Sequence, residues 1–166
     1  MNTNKIPTFE EMLKIVPIEL LVCLEDCSNT PQSPQWHPEG DVLKHIKIVY
    51  TRALTTQDLN LVISALFHDL GKVEKTKPNK NGGWGAHGHE DASARMVERS
   101  KDWITSIGGD WKQVYEIVKQ HMRVKLMKEM RKPKREALEK NPWFDKLIKF
   151  TELDNMQNLT EKEKNI

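Results

Sequence analysis

The sequence predicts an all-α protein, folded as a single compact bundle of helices. Apolar residues recur three and four positions apart in successive segments, which is the spacing of one helix face. No segment alternates convincingly between apolar and polar residues, so no β-sheet is expected. The length of 166 residues suits one domain that can bury a sizeable core.

Composition divides the predicted domain into three parts. Residues 1–35 are expected to form two short helices, separated at Pro17, and then a proline-rich loop. Residues 36–158 are expected to form the main helical bundle, which carries the candidate metal ligands described below. Residues 159–166 are polar and are expected to be a frayed, solvated tail.

The segment from Leu59 to Leu70 is expected to be a buried central helix, because it is apolar on nearly every face. We expect Thr56 to cap its start and Gly71 to end it as a C-cap. His68 and Asp69 would then lie together in its last turn. Ionisable side chains in a buried helix are costly unless they are paired or bind a metal.

Other helices, each with one inward apolar face, are expected at residues 41–54, 90–104 and 110–122 and from Pro142 onward. The polar, glycine-rich loop from Thr76 to Gly88 is expected to lack regular structure. Trp84, in the middle of this loop, is expected either to cover a cleft as a lid or to plug the core.

Charge and composition argue against several classes of protein. With 26 Lys and Arg against 24 Asp and Glu, the formal charge of +2 does not indicate a nucleic-acid-binding protein, although a nucleic acid stays possible as a substrate. Residues 119–140 carry a local charge of +6, from nine Lys or Arg and three Glu, and we interpret most of it as a solvated face. No apolar stretch approaches the ~20 residues that a membrane span needs.

The expected location is the cytoplasm, with no membrane partner. The first residues are polar and lead into no signal-peptide core. Cys23 and Cys27 are the two cysteines of the chain, so neither a disulfide framework nor a structural zinc site is expected. The sequence leaves the oligomeric state open.

Histidines and aspartates recur on the inward sides of separate predicted helices, at intervals of 23, 21, 32 and 33 residues. They are His45, His68 with Asp69, His89, His121 and Asp154. Each interval accommodates about one helical hairpin, so all of these helices can converge on one point. Imidazole nitrogens and carboxylate oxygens are ligands of divalent transition metals. A carboxylate flanked by histidines can bridge two ions, and two-metal sites activate water and clamp a phosphoryl group.

This pattern resembles the signature of the HD superfamily of metal-dependent phosphohydrolases. Three stretches are similar to the HD domain of bacterial tRNA nucleotidyltransferases: His37-Pro38-Glu39-Gly40-Asp41-Val42 with His45, Ala65-Leu66-Phe67-His68-Asp69-Leu70-Gly71-Lys72, and His89-Glu90. The resemblance covers roughly residues 36–156. The nucleotidyltransferase head domain has no counterpart here, so tRNA end-building is not expected.

The resemblance implies which residues bind metal. In the family, the first histidine, the His-Asp pair and the distal aspartate hold an ion, and these match His45, His68, Asp69 and Asp154. Dinuclear members add two histidines, which match His89 and His121 in order. We therefore expect one or two divalent ions, of Mn, Fe, Ni, Co or Mg.

The resemblance also implies hydrolysis of a phosphoester, of a nucleotide or cyclic-phosphate type, by water that the metal activates. Asp69 is expected to orient this water. Lys72 matches a family lysine that lies near substrate phosphate. We therefore expect Asp69 and Lys72 to be catalytic. Arg123, Lys125 and Trp84 are further candidates for contact with a small phosphorylated or nucleotide substrate.

Two other functions fit the same residues. A few HD-fold proteins are diiron oxygenases with the six-ligand pattern that this sequence contains in full, although the context of its motifs favours hydrolysis. The second alternative is a non-catalytic HD module that binds a nucleotide. The complete ligand set argues against it, because a pure binding module need not keep every ligand. His89 and His121 could contact substrate instead of a second ion.

Overall fold

Helices make up most of the computed structural model, which describes residues 5–166, and they confirm the predicted all-α class. In chain order the elements are α1 (Phe9–Leu13), α2 (Ile18–Cys27), α3 (Val42–Leu54), α4 (Leu59–Phe67), α5 (Lys72–Lys75), β1 (Lys77–Pro78), β2 (Trp84–Gly85), α6 (His89–Arg99), α7 (Lys101–Ser106), α8 (Trp111–Lys125), a 3-10 turn (Met127–Glu129), α9 (Lys132–Glu139), α10 (Phe144–Leu153) and α11 (Glu161–Lys164). Within residues 5–166, no helix is long and apolar enough to cross a membrane.

The central helix of the bundle is α4. Its residues 61–67 are all buried, and it contacts α3, α6, α8 and α10. Each of these neighbours buries one face and leaves the other polar, which is the pattern of an amphipathic helix at a protein surface. The near-continuous apolar run of α4 is thus explained by contact on all sides.

Aspartate side chains begin three of the bundle helices. Asp41 accepts a hydrogen bond from the Lys44 amide (2.9 Å) at the start of α3, and Asp110 occupies the same position for α8. The expected cap of α4, Thr56, is wrong. Asp58 caps this helix by accepting from the amide of Asn60 (3.0 Å), while the Thr56 hydroxyl donates to the Ala53 carbonyl.

Gly71 has a different role from the expected one. Helix α4 ends at Phe67, and the φ angle of Gly71 is −63°, so it is not a left-handed C-cap. A Cβ atom at Gly71 would lie 2.2 Å from the His89 carbonyl oxygen and 2.9 Å from the Ser93 nitrogen. The Gly71 amide also donates to Ser93 Oγ (2.8 Å). Glycine is required because the turn after α4 contacts the backbone of α6 directly.

Three other segments differ from the sequence-based expectations. The glycine-rich loop contains a small antiparallel hairpin, in which Lys77 pairs with Gly85 and Pro78 with Trp84. The helix expected over residues 90–104 is divided at Ser100 into α6 and α7. The chain end is not frayed, because α11 has a capping box and Arg52 of α3 pairs with Glu163 (2.5 Å).

Substituting Gly71 tests the contact between the α4 turn and α6. Gly71→Ala is expected to lower the free energy of unfolding by about 2–3 kcal/mol, because the added methyl group overpacks a contact with backbone atoms that cannot move aside. Gly82→Ala is the control: its methyl group would meet open space, so only the left-handed backbone (φ +81°) opposes it, at about 1 kcal/mol. Denaturant unfolding measures both. Equal, small losses for the two variants would contradict the close contact.

Candidate metal centre and cleft

Five helices bring six predicted site residues to one buried point. His45 belongs to α3, His89 is the first residue of α6, and His121 belongs to α8. The other three are His68 and Asp69, directly after α4, and Asp154, directly after α10. Each of the six is at most 5% exposed. The structure therefore brings together every residue that the sequence predicted as a metal ligand.

Four of these side chains form what we call the first cluster. His45 Nε2 lies 2.8 Å from Asp154 Oδ1, 3.1 Å from His68 Nε2 and 3.3 Å from Asp69 Oδ2. His68 Nε2 lies 3.3 Å from each of the same two carboxylate oxygens. Two imidazole nitrogens and two carboxylate oxygens thus surround one point.

The second cluster consists of Asp69, His89 and His121. Asp69 Oδ1 lies 3.1 Å from His89 Nε2 and 3.5 Å from His121 Nε2, and these two nitrogens are 3.3 Å apart. Asp69 belongs to both clusters, because Oδ2 faces the first and Oδ1 faces the second. Its carboxylate has the position of a bridge between two ions.

The hydrogen bonds of the outer ring nitrogens show which histidine atoms are free to bind a cation. Nδ1 of His68, His89 and His121 lies 2.6–2.9 Å from the backbone carbonyl oxygen three residues earlier. A carbonyl only accepts, so each Nδ1 carries a hydrogen and Nε2 is the nitrogen that each ring turns towards the clusters, where it can hold a proton or bind a metal ion. Lone pairs that face each other at 3.1–3.3 Å repel unless a cation lies between them. The donor set therefore fits divalent metal.

A cleft of about 1190 Å³ leads from the surface to these clusters. His89, Lys72 and Asp154 line its inner part, and Trp36 and Trp84 line its mouth. Trp84 lines the cleft and is 39% exposed, so it does not plug the core. Arg123 does not line the cleft; its guanidinium is exposed and donates to Gln120 Oε1 (3.3 Å).

Comparison with known proteins identifies the family. The family model described as "HD domain" matches residues 42–160, which is more than half of the chain. This chain belongs to the HD domain family. The family binds divalent metals, and the buried clusters could hold them.

Two relatives carry the name "Multifunctional CCA protein", which agrees with the predicted resemblance to bacterial tRNA nucleotidyltransferases. The one from Nitrosospira multiformis is 34% identical over 97 residues, covering 49% of this chain and 22% of that protein. The one from Janthinobacterium sp. is 32% identical over 102 residues, covering 52% of this chain and 24% of that protein. This chain therefore aligns with about a quarter of each relative's length. No solved structure matches it significantly.

Glu39 is a site residue to which sequence reasoning assigned no role. Its Oε1 accepts from Nδ1 of His45 (2.7 Å) and Nδ1 of His37 (2.8 Å), and the side chain is buried. Burial would raise the pKa of Glu39, but the hydrogen bonds from His37 and His45 outweigh it and lower the pKa to about 2. A metal-binding histidine commonly donates its other nitrogen to a carboxylate, so the Glu39-to-His45 spacing was the available signal.

The charges of the two clusters favour a bound cation. Burial would raise the pKa of both aspartates, but the positive charge of His68 and Lys72 holds the pKa of Asp69 well below its usual range, and that of Lys125 and His68 does the same for Asp154. Burial lowers the pKa of His68, but the two carboxylates outweigh it and raise the pKa to about 9. The first cluster therefore attracts positive charge, which a divalent ion supplies more fully than a proton.

Two lysines lie on the cleft side of these carboxylates. Lys72 Nζ is 3.1 Å from Asp69 Oδ2 and donates to Gln32 Oε1 (2.7 Å). Lys125 Nζ is 2.5 Å from Asp154 Oδ2. Both side chains line the cleft, so both ammonium groups can reach a bound anion. Of the two cations after His121 that the sequence offers as phosphate contacts, Lys125 lines the cleft and Arg123 does not.

Removal of the metal tests the site itself. Chelation is expected to lower the melting temperature of the wild type, because a ligand that binds only the folded state stabilises it by about 2.7 kcal/mol at a hundredfold excess over Kd. An unchanged melting temperature after chelation, with no metal by elemental analysis, would contradict the metal site.

Substituting Glu39 tests how the outer hydrogen bonds support metal binding. Glu39→Gln removes the charge that orients His45, so metal affinity should fall about tenfold or more. His37→Ala, which removes the other partner of Glu39, is the control and should change affinity less.

Proposed function

We propose that this HD domain is a metal-dependent phosphohydrolase that cleaves a phosphoester with an activated water. The observation that carries the proposal is the shared carboxylate of Asp69, with one oxygen directed at each cluster. Such a bridge is typical of two-metal sites that carry out in-line displacement at phosphorus.

The proposed ligands follow from the two clusters. His45, His68, Asp69 and Asp154 would hold the first ion, and Asp69, His89 and His121 would hold the second. Bound divalent ions would lower the pKa of a coordinated water and neutralise charge on the phosphoryl oxygens. The first ion has two carboxylates and two imidazoles, so it should bind more tightly than the second, which has two imidazoles and a share of Asp69.

The residues of the chain supply positioning and charge. Asp69 orients the nucleophilic water from its place between the clusters. Lys72 and Lys125 stabilise negative charge that develops on the phosphoryl group, because their ammonium groups face the cleft beside Asp69 and Asp154. Because Asp69 and Asp154 are buried, the lysine charges beside them act in a medium of lower dielectric constant than water, which strengthens their electrostatic interactions.

We propose a small phosphorylated molecule or nucleotide as the substrate, and a nucleic acid end is a further candidate. A panel of nucleotides, 2′,3′-cyclic phosphates and p-nitrophenyl phosphate, assayed with Mn²⁺, Ni²⁺, Co²⁺ or Mg²⁺, tests the reaction. Metal-dependent release of phosphate or opening of a cyclic phosphate supports hydrolysis. No turnover with any metal, together with an iron-dependent absorption spectrum that changes under oxygen, would favour the diiron oxygenase.

Substitutions at Asp69 and Lys72 separate metal bridging from charge stabilisation. Asp69→Ala is expected to abolish turnover, because it removes the bridge and the group that orients water. Lys72→Ala should keep the metal content and lower kcat about tenfold to a thousandfold. Arg123→Ala is the matched control outside the cleft and should leave kcat unchanged. Wild-type turnover in both the Asp69 and the Lys72 variant would show that the site is misplaced.

Substituting His121 tests the second ion. We expect loading in two steps, with about one ion after mild chelation and two at high Mn²⁺, and activity that follows the second step. His121→Ala should limit occupancy to one ion and lower turnover, at a cost in stability of about 1–2 kcal/mol. Elemental analysis is compared with activity for both proteins. Full activity with one bound ion in both would show a mononuclear enzyme, in which His121 has another role.

A further inference from the structure

Two tryptophans lie at the mouth of the cleft with much of their surface in solvent. Trp36 is 68% exposed and Trp84 is 39% exposed. Burying such a ring on folding would be strongly favourable, so exposed indoles at a cleft point to contact with a ligand. The same cleft continues down to Lys72, His89 and Asp154. A molecule that contacts the two rings therefore has direct access to the metal centre.

One serine holds the two tryptophan-bearing loops together. The Ser33 hydroxyl donates to the Trp84 carbonyl (3.0 Å) and accepts from the Trp84 amide (2.8 Å). The Ser33 carbonyl accepts from the Trp36 amide (3.1 Å) within a tight turn. Gly83 gives this contact its space, because a Cβ atom there would lie 2.8 Å from Ser33 Oγ. Ser33 thus links the backbones at Trp36 and Trp84, although 47 residues separate them in the sequence.

Four uncharged amide side chains line the same cleft as the two rings. They are Gln35, Asn79, Asn155 and Gln157, and each is exposed, whereas Lys72 and Asp154 are buried. Amides offer both donors and acceptors to the edge of a ring that stacks on an indole. The charged residues Lys72 and Asp154 lie at the inner end. This separation suits a molecule with a planar, polar ring at one end and an anionic group at the other.

We propose that Trp36 and Trp84 are the specificity-determining residues of the cleft, and that they stack the nucleobase of a phosphoester substrate whose phosphoryl group lies at the metal centre. The proposal rests on the proposed function, and it narrows the substrate to one that carries a base. A sugar phosphate without a base would use the inner end alone. Stacking on aromatic side chains accepts every base, so the pair selects for a base and not for one sequence.

The test compares AMP with ribose 5-phosphate, which have the same sugar and phosphate. We expect the wild type to prefer AMP in kcat/KM, and the ratio of the two values to fall about tenfold in Trp84→Ala and in Trp36→Ala. Trp84→Phe keeps an aromatic face and should restore most of the ratio. Trp111→Phe, a tryptophan outside the cleft, is the control. A 3′-phosphorylated trinucleotide, assayed beside AMP, distinguishes an RNA end from a free nucleotide as the source of the base.

Binding of adenosine gives a readout that needs neither phosphate nor metal. Adenosine is expected to quench tryptophan fluorescence in the wild type and in Trp111→Phe, with at least about fivefold weaker binding in the two alanine variants. An unchanged AMP-to-ribose 5-phosphate ratio with turnover intact, or equal adenosine affinity in all variants, would overturn the stacking site and leave the hydrolase. Adenosine binding that depends on both indoles, without hydrolysis of any phosphoester, would support the site and contradict the proposed function.

Discussion

The buried carboxylate of Asp69 imposes the constraint on which the centre depends. A carboxylate loses most of its hydration when it is buried, and it stays ionised only where positive charge and hydrogen-bond donors replace the water. Asp69 is 2% exposed, and its oxygens lie 3.1–3.5 Å from nitrogens of four histidines and one lysine. These nitrogens come from α3, the turn after α4, α5, α6 and α8. Because the charge of this one carboxylate is balanced by side chains from all of these elements, it fixes their positions relative to one another.

The same constraint explains local features that lack an obvious reason in the sequence. Gly71 allows the turn that follows Asp69 to touch the first turn of α6, which carries His89. Phe150 of α10 packs edge-on against the rings of His68 and His121, at centroid distances of 5.1 and 6.1 Å. Gly71 and Phe150 thus help to orient the histidines of the two clusters, although neither residue could bind a metal itself. Changes at these positions act on the metal centre through packing.

Apolar periodicity was sufficient for the fold class, and together with the family resemblance it was sufficient for the six clustered residues. Inward helix positions are read from the apolar stripe, and His45, His121 and Asp154 lie on such stripes. Glu39 could not be assigned in this way, since its role depends on loop conformation. Periodicity could not choose between Arg123 and Lys125 either, since that choice depends on how far each side chain reaches across the cleft. Arg123 and Lys125 are only two residues apart on α8, yet one donates to Gln120 and the other contacts Asp154.

The two lysines make the centre asymmetric, and this asymmetry indicates how a substrate lies. Lys72 contacts Oδ2 of Asp69, which is the oxygen that faces the first cluster. Lys125 contacts Oδ2 of Asp154, and Asp154 is also a member of the first cluster. No lysine or arginine in residues 5–166 forms a salt bridge with Asp69 Oδ1 on the side of the second cluster. Both ammonium groups that line the cleft beside the two carboxylates therefore lie on the first-cluster side. We propose that the phosphoryl group lies there, with the rest of the molecule extending along the cleft towards Trp36 and Trp84.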